Sequence, residues 1–189
     1  MVITFNYKIS VIFIICLLLI VCILKLKLKR NNYQILFFAV AYIYMMFIIY
    51  ETQFPIFIQN TLMEKELGGL KFGRDINIIP LKDIINMTSI LNIILFIPVG
   101  FVMGFVIKNN IKWTLIIGSI ISALIEICQL MINIFIGYNF RVTDINDIIC
   151  NTAGAAIGYI IMVLFVKIVR KVFAESDEKI ICYIKNRID

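Results

Sequence analysis

Apolar residues along this chain fall into five long blocks separated by short polar punctuation. The blocks are Ile9–Leu24, Asn31–Tyr50, Thr88–Ile107, Trp113–Ile136 and Ile148–Val166, and Glu126 is the only charged residue inside any of them. A helix needs roughly 17–25 residues to cross a hydrocarbon core, and each block approaches or meets that length. None alternates apolar and polar residues at a period of two, as a membrane barrel strand would. As helices, the blocks satisfy their own backbone hydrogen bonds inside lipid. The pattern predicts an all-α protein, a polytopic membrane helical bundle of about five transmembrane helices. The first block is the shortest, and Val2, Ile3 and Phe5 are expected to extend it. It is not read as a cleaved signal peptide, because its basic cluster follows the apolar run and no small-residue cleavage site comes after it.

The order of the blocks divides the chain into two N-terminal spans over residues 1–50, an external loop over 51–87, a three-helix core over 77–166 and a cytoplasmic tail over 167–189. From Phe173 onward the charge is mixed, which suits a short amphipathic helix on the cytoplasmic surface. There is no internal repeat, no Gly/Ser linker and no second domain. Composition agrees: 62% of the 189 residues are hydrophobic and 16% charged, more apolar surface than a soluble domain of this size can bury. Orientation is read from Lys and Arg in the short loops. Lys25, Lys27, Lys29 and Arg30 follow the first block, Lys108 and Lys112 the third, and Lys167, Arg170 and Lys171 the fifth. These segments alternate so as to share one side, the cytoplasm, with the N-terminus outside and the C-terminus inside the cell membrane. The +6 net charge is then a topology signal and an attraction to anionic lipid. No nucleic-acid partner is expected.

Missing residue types remove whole classes of chemistry. The chain has no His, which excludes His-ligated zinc, a Ser–His–Asp triad and phosphohistidine transfer. Cys16, Cys22, Cys128, Cys150 and Cys182 show no metal-type spacing and are read as packing residues. No phosphate-cradling Gly-rich loop is present, and no cofactor is expected.

What remains is polar chemistry in apolar places. Ser119, Ser122, Glu126, Gln129 and Asn133 follow one another at steps of three and four, which puts them on one helical face. A carboxyl group near mid-span costs about 2.5–3.5 kcal/mol to insert, so Glu126 must face protein or a wet cavity and find a partner. That makes it either glue between helices or part of a site. Asp144 stands where the N-cap of the fifth span belongs and Asp147 in its first turn, both complementing the helix dipole. Capping accounts for one of the two, not for both beside Arg141. Asp147, Asn151, Gly154 and Gly158 continue as a stripe down the same helix. Gly154/Gly158, and Gly100/Gly104 after Asn92 and Pro98, are small-xxx-small patterns that admit a close neighbour. The third to fifth spans are therefore expected to form a tight unit, with the first two at its edge. Asp144, Asn146 and Asp147 begin like a calcium loop, but the downstream Glu of an EF-hand is absent. No dedicated metal site is expected; a divalent ion between Glu126, Asp144 and Asp147 stays open as the alternative.

Taken in order, Asn77-Ile-Ile-Pro80, Asn92-Ile-Ile-Leu-Phe-Ile-Pro98-Val-Gly100, Ile125-Glu126-Ile-Cys-Gln129, Arg141-Val-Thr-Asp144-Ile-Asn-Asp147, and Asn151-Thr-Ala-Gly154 with Gly158 resemble the VanZ-like family. The resemblance covers Asn77 to Tyr159 and departs at Asn146, where the family often carries another acid. It implies a small multi-pass protein, in a family whose founding member is associated with resistance to teicoplanin without remodelling of the cell-wall precursor. Together with the residue chemistry, it nominates Asn77, Asn92, Glu126, Gln129, Arg141, Asp144, Asp147 and Asn151 as binding residues. The expected partner is a membrane lipid or lipid-linked envelope component, with a lipoglycopeptide as a further candidate; oligomeric state is left open. Arg141 suits a phosphate or carboxylate, and the acids suit a cationic amine. Three other readings stand beside binding: a membrane-embedded enzyme with Glu126 or Asp147 as general base, a transporter, and an assembly partner in which Glu126 and Arg141 form an ion pair.

Overall fold

Asparagine sets where four of the five long helices begin. The computed structural model describes residues 2–58, 61–69, 76–107 and 110–188. Asn6 Oδ1 accepts from the amides of Lys8 (3.1 Å) and Ile9 (3.3 Å) and starts α1, Tyr7–Leu26. Asn31 accepts from Tyr33 N (2.9 Å) at the head of α2, Asn32–Gln53. Short elements follow: β2 (Ile56–Phe57) pairs antiparallel with β1 (Val2–Ile3), and α3 (Thr61–Leu67) and β3 (Ile76–Asn77) come next. Asn86 accepts from Ser89 N (2.8 Å) to open α4, Met87–Val106, and Asn110 from Trp113 N (3.3 Å) to open α5, Ile111–Ile136. Side-chain caps of this type contribute about 1 kcal/mol each. Gly137, in the left-handed region at φ 85°, closes α5. β4 (Thr143–Asp144) then leads into α6, Ile145–Val172, and a final α7, Lys179–Lys185, folds back on the bundle.

All five apolar blocks are helices long and apolar enough to cross a membrane, and the chain is a multi-pass membrane protein with an all-α bundle fold. Two local expectations change. Val2, Ile3 and Phe5 do not lengthen the first span; Val2 and Ile3 form β1, and Phe5 precedes Asn6, which supplies the cap that starts α1 at Tyr7. The last span does not stop at Val166: hydropathy falls there, but the helix runs on to Val172 with Arg170 and Lys171 in its last turn, where cations complement the dipole. The tail helix is short, Lys179–Lys185. Lys108, one of the residues used for orientation, lies outside the described residues.

α4 and α6 form the tightest pair, through glycine. A Cβ at Gly100 would run into the carbonyl of Ala155, one at Gly154 into the carbonyl of Ile93, and one at Gly158 into that of Ile97. The two backbones touch directly, the kind of approach that drives helix association where water supplies no hydrophobic force. Around this seam Ile48, Phe96, Val99, Ile125 and Ala155 make one core, and Phe105, Met162 and Val166 a second nearer the other end. α1 buries no residue, as expected of a helix at the edge. α2 is more deeply engaged: Ile48 is wholly buried, and Tyr44 Oη donates to Leu95 O (2.8 Å), beside the hydrogen bond that Pro98 cannot make.

Candidate functional site

The polar face expected on the fourth span points inward. Ser122, Glu126, Gln129 and Asn133 are all buried along α5, and each is met by a different neighbour. Asn151 Nδ2, from α6, donates to Ser122 Oγ at 2.8 Å, and one turn away Ser119 Oγ and Thr152 Oγ1 are 2.9 Å apart. Glu126, 5% exposed, accepts from the backbone amide of Asp144 at 3.0 Å. Asn133 is a loop clamp: its amide group donates to Asn139 Oδ1 (2.7 Å) and Arg141 O (2.5 Å) and accepts from Phe140 N (3.2 Å). Thus α5 holds the turn 137–144 against its own last three turns.

Asp144 joins three elements. Its Oδ1 accepts from Asn146 N (2.8 Å), capping α6 as the sequence suggested, and from Asn77 Nδ2 (2.9 Å). Asn77 stands opposite it in the parallel β3–β4 pair. Asn146, 2% exposed, reaches the other way: Oδ1 accepts from Leu81 N and Nδ2 donates to Lys82 O, both at 2.7 Å. Leu81 and Asp83 have φ of 65° and 55°, a backbone region that non-glycine residues rarely adopt unless held there. The amide at position 146 thus does what a carboxylate there could not, donating and accepting at once.

Asp147 lies in the first turn of α6, half-buried, and close enough with Asp144 for both to act on the charge of Glu126. The Asn92 amide of α4 approaches the Asp147 carboxylate, but Asn92 Nδ2 is buried without a partner at full hydrogen-bond geometry. One turn along α6, Asn151 Oδ1 is likewise buried and unpartnered. Among the described residues no group of three acids, Cys or His is arranged to hold a metal ion.

Arg141 and Gln129 belong to a neighbouring compartment. The Arg141 guanidinium donates to Glu51 O (3.3 Å) and Phe54 O (3.0 Å) at the end of α2, so it is not paired with Glu126. Burial draws its pKa down from the ordinary arginine value, and the Glu51 carboxylate works against that shift; it remains a cation. Gln129 Nε2 donates to Thr52 O (3.1 Å) and Gln53 Nε2 to Ile125 O (3.4 Å), stitching α2 to α5. Both amide oxygens and Arg141 Nε are left unpartnered around a cavity of about 10 Å³, room for about one water.

Of the eight nominated residues, Asn77, Asn92, Glu126, Asp144, Asp147 and Asn151 therefore gather where α4, α5 and α6 meet, while Gln129 and Arg141 stand beside them on the α2 side. Gln53 was not nominated; its one signal is a polar Thr-Gln pair just past an apolar block. The match to known families covers most of this architecture: residues 11–166 fit the family described as VanZ/LLP1. The chain belongs to the VanZ/LLP1 family. The matched region begins within α1 and so takes in the first two spans, ahead of the stretch where the motif resemblance lies. No curated protein and no solved structure matches the chain. In this VanZ/LLP1 protein the polar motif residues thus gather toward one end of the helical unit, and the motif glycines form the α4–α6 seam.

Proposed function

We propose that this protein binds the polar head of an amphiphilic envelope component at the carboxylate end of the bundle, and so lowers susceptibility to lipoglycopeptides such as teicoplanin. The observation that carries the reading is Asp147. Asp144 is committed to capping α6 and Glu126 to the Asp144 amide, whereas among the described residues no backbone amide claims the Asp147 carboxylate. The Asn92 amide approaches it from α4, and one turn along α6 the Asn151 Oδ1 acceptor is buried without a partner. A half-buried anion beside an unpartnered amide oxygen suits an amine or hydroxyl-bearing headgroup whose tail stays in lipid. In this reading that end faces outward, and the end bearing Lys25, Lys112, Arg170 and Lys171 faces the cytoplasm.

The test is the susceptibility of a sensitive Gram-positive host to teicoplanin and to vancomycin, with wild type, Glu126→Gln and Asp147→Asn at matched membrane abundance. Protection against teicoplanin alone, lost in both variants, is expected. Full protection by both variants would remove the carboxylates from the mechanism. The uncommitted Asp147 carboxylate also favours a second reading, a general base acting on a lipid or cell-wall intermediate. Mass spectrometry of lipids from cells with and without the protein separates the two: a new or missing species indicates chemistry, an unchanged lipid profile indicates binding.

A further inference from the structure

At the opposite end of the bundle the tail is built into the fold. Tyr183, on α7, is buried, and its hydroxyl donates to Phe105 O. Its ring stacks on Phe37 at 5.8 Å, and Phe37 stacks on Phe105 at 4.6 Å. Two basic side chains hold this arrangement through carbonyls. The Arg170 guanidinium donates to Lys185 O (2.8 and 2.6 Å), and Lys185 Nζ to Ala174 O (3.0 Å) and Ser176 O (3.1 Å).

Two others are not used this way. Lys179 and Arg187 line a cavity of about 350 Å³ together with Asn31, Tyr33, Tyr183 and Asn186, within the range of about 300–1,000 Å³ typical of small-molecule sites. The Arg187 guanidinium lies 4.0 Å over the Tyr183 ring, which fixes its plane, yet Arg187 Nε is buried with no partner. Asp177 and Glu178 precede Lys179 in sequence, but neither lines the cavity. Lys27, Lys29 and Arg30 lie within four residues before Asn31 in the chain. From the cavity edge at Tyr33, the exposed residues Leu36, Val40, Ile43 and Phe47 run up α2 at steps of four, three and four, an apolar ridge facing lipid.

From this geometry we infer that the cavity between the start of α2 and the tail helix binds the phosphate of an anionic lipid headgroup, with the acyl chains along the α2 ridge. Planar guanidinium and ammonium donors match phosphate oxygens, and basic pockets between transmembrane helices suit such headgroups. The cations anchor the head, and the ridge distinguishes a lipid from a free phosphate. The site is separate from the carboxylate end and does not depend on the function proposed for it.

The experiment is native mass spectrometry of the full-length protein in detergent with phosphatidylglycerol, with phosphatidylcholine, and with phosphatidylglycerol in the presence of inorganic phosphate. Retention of phosphatidylglycerol about tenfold above phosphatidylcholine is expected, falling by about tenfold in Lys179→Gln/Arg187→Gln, the effect of losing charge-assisted hydrogen bonds. Equal retention of the two lipids, or unchanged retention by the double variant, would overturn the site. Displacement by equimolar inorganic phosphate would overturn its assignment to a lipid. Because Arg187 also packs on Tyr183, Lys179→Gln alone provides a variant that leaves this stack intact, and it should weaken retention in the same direction. The wild-type melting temperature gives a readout free of mutation: it should rise with phosphatidylglycerol and not with phosphatidylcholine, and an equal response to both would count against the site.

Discussion

Glu126 shows how one carboxylate takes a structural role and leaves its neighbour free. Its Oε2 answers the Asp144 amide, a donor that no helix satisfies because it lies at the very start of α6. Glu126→Ala leaves that amide unanswered in a buried place, which costs about 1–3 kcal/mol and should show as a lower melting temperature in detergent. Glu126→Gln keeps an acceptor oxygen at the same reach and should melt close to wild type, so that a loss of protection in that variant reports on charge and not on folding. The two roles were separable in the sequence only in part. Asp144 as a cap follows from its place before an apolar helix, but the partner of Glu126 is a backbone amide 18 residues on, which no side-chain pattern announces. Asn146 is harder still. In the sequence it is only a departure from an expected acid, whereas its amide clamps a turn 65 and 64 residues upstream. Asn146→Asp retains the acceptor for Leu81 N but loses the donor to Lys82 O and adds a charge beside Asp144 and Asp147. Limited proteolysis should then cut faster within residues 78–86, and Asn146→Ala, which loses both bonds, faster again.

At the scale of elements, the glycine patterns of α4 and α6 were legible as close-packing surfaces, and their assignment to one another follows from the structure. Gly100 meets Ala155 while Gly154 and Gly158 meet Ile93 and Ile97, in each case backbone against backbone. Gly104 differs, because an added methyl group there would meet the flexible end of Met162. Gly100→Ala and Gly158→Ala should therefore destabilise the bundle at or above the top of the range of about 1–3 kcal/mol usual for overpacking, while Gly104→Ala falls well short of it. Melting of the four proteins in one detergent checks the ranking; equal loss at Gly104 and Gly158 would mean that the helix backbones can part. The engagement of α2 was less visible. Its apolar block gives no face preference, and the residues that tie it to α5, Thr52 and Gln53, follow the block and read as the beginning of a loop. Hydropathy finds spans because they share one solvent, lipid; it does not report which spans share hydrogen bonds.

For the whole molecule, lipid exposure and charge together set the remaining question, which end faces out. Five spans were legible because each is a long uncharged run, and the overrun of α6 to Val172 was not, because the helix outlasts its hydrophobicity. The orientation rests on the density of Lys and Arg in the short turns, with Lys25, Lys27, Lys29 and Arg30 packed between α1 and α2. The other end is not free of cations: by sequence it carries Lys8, Lys65, Lys71, Arg74 and Lys82 besides Arg141. Lys and Arg are nonetheless more numerous at the end bearing Lys25, Lys112, Arg170 and Lys171, and acids such as Glu64 and Asp83 weigh little, which still favours an external carboxylate end. Cysteine labelling in whole cells decides it. Ile85 is 98% exposed in the turn before α4, and Lys171 lies in the last turn of α6 at the other end. Ile85→Cys should react with a membrane-impermeant maleimide in intact cells, and Lys171→Cys only after permeabilisation. The wild-type protein is the background control, since Cys16, Cys22, Cys128 and Cys150 lie within spans and Cys182 is on the tail helix, at the same end as Lys171. The reverse pattern would turn the carboxylates toward the cytoplasm, out of reach of any drug held in the outer leaflet, and would move the phosphate cavity to the outer one.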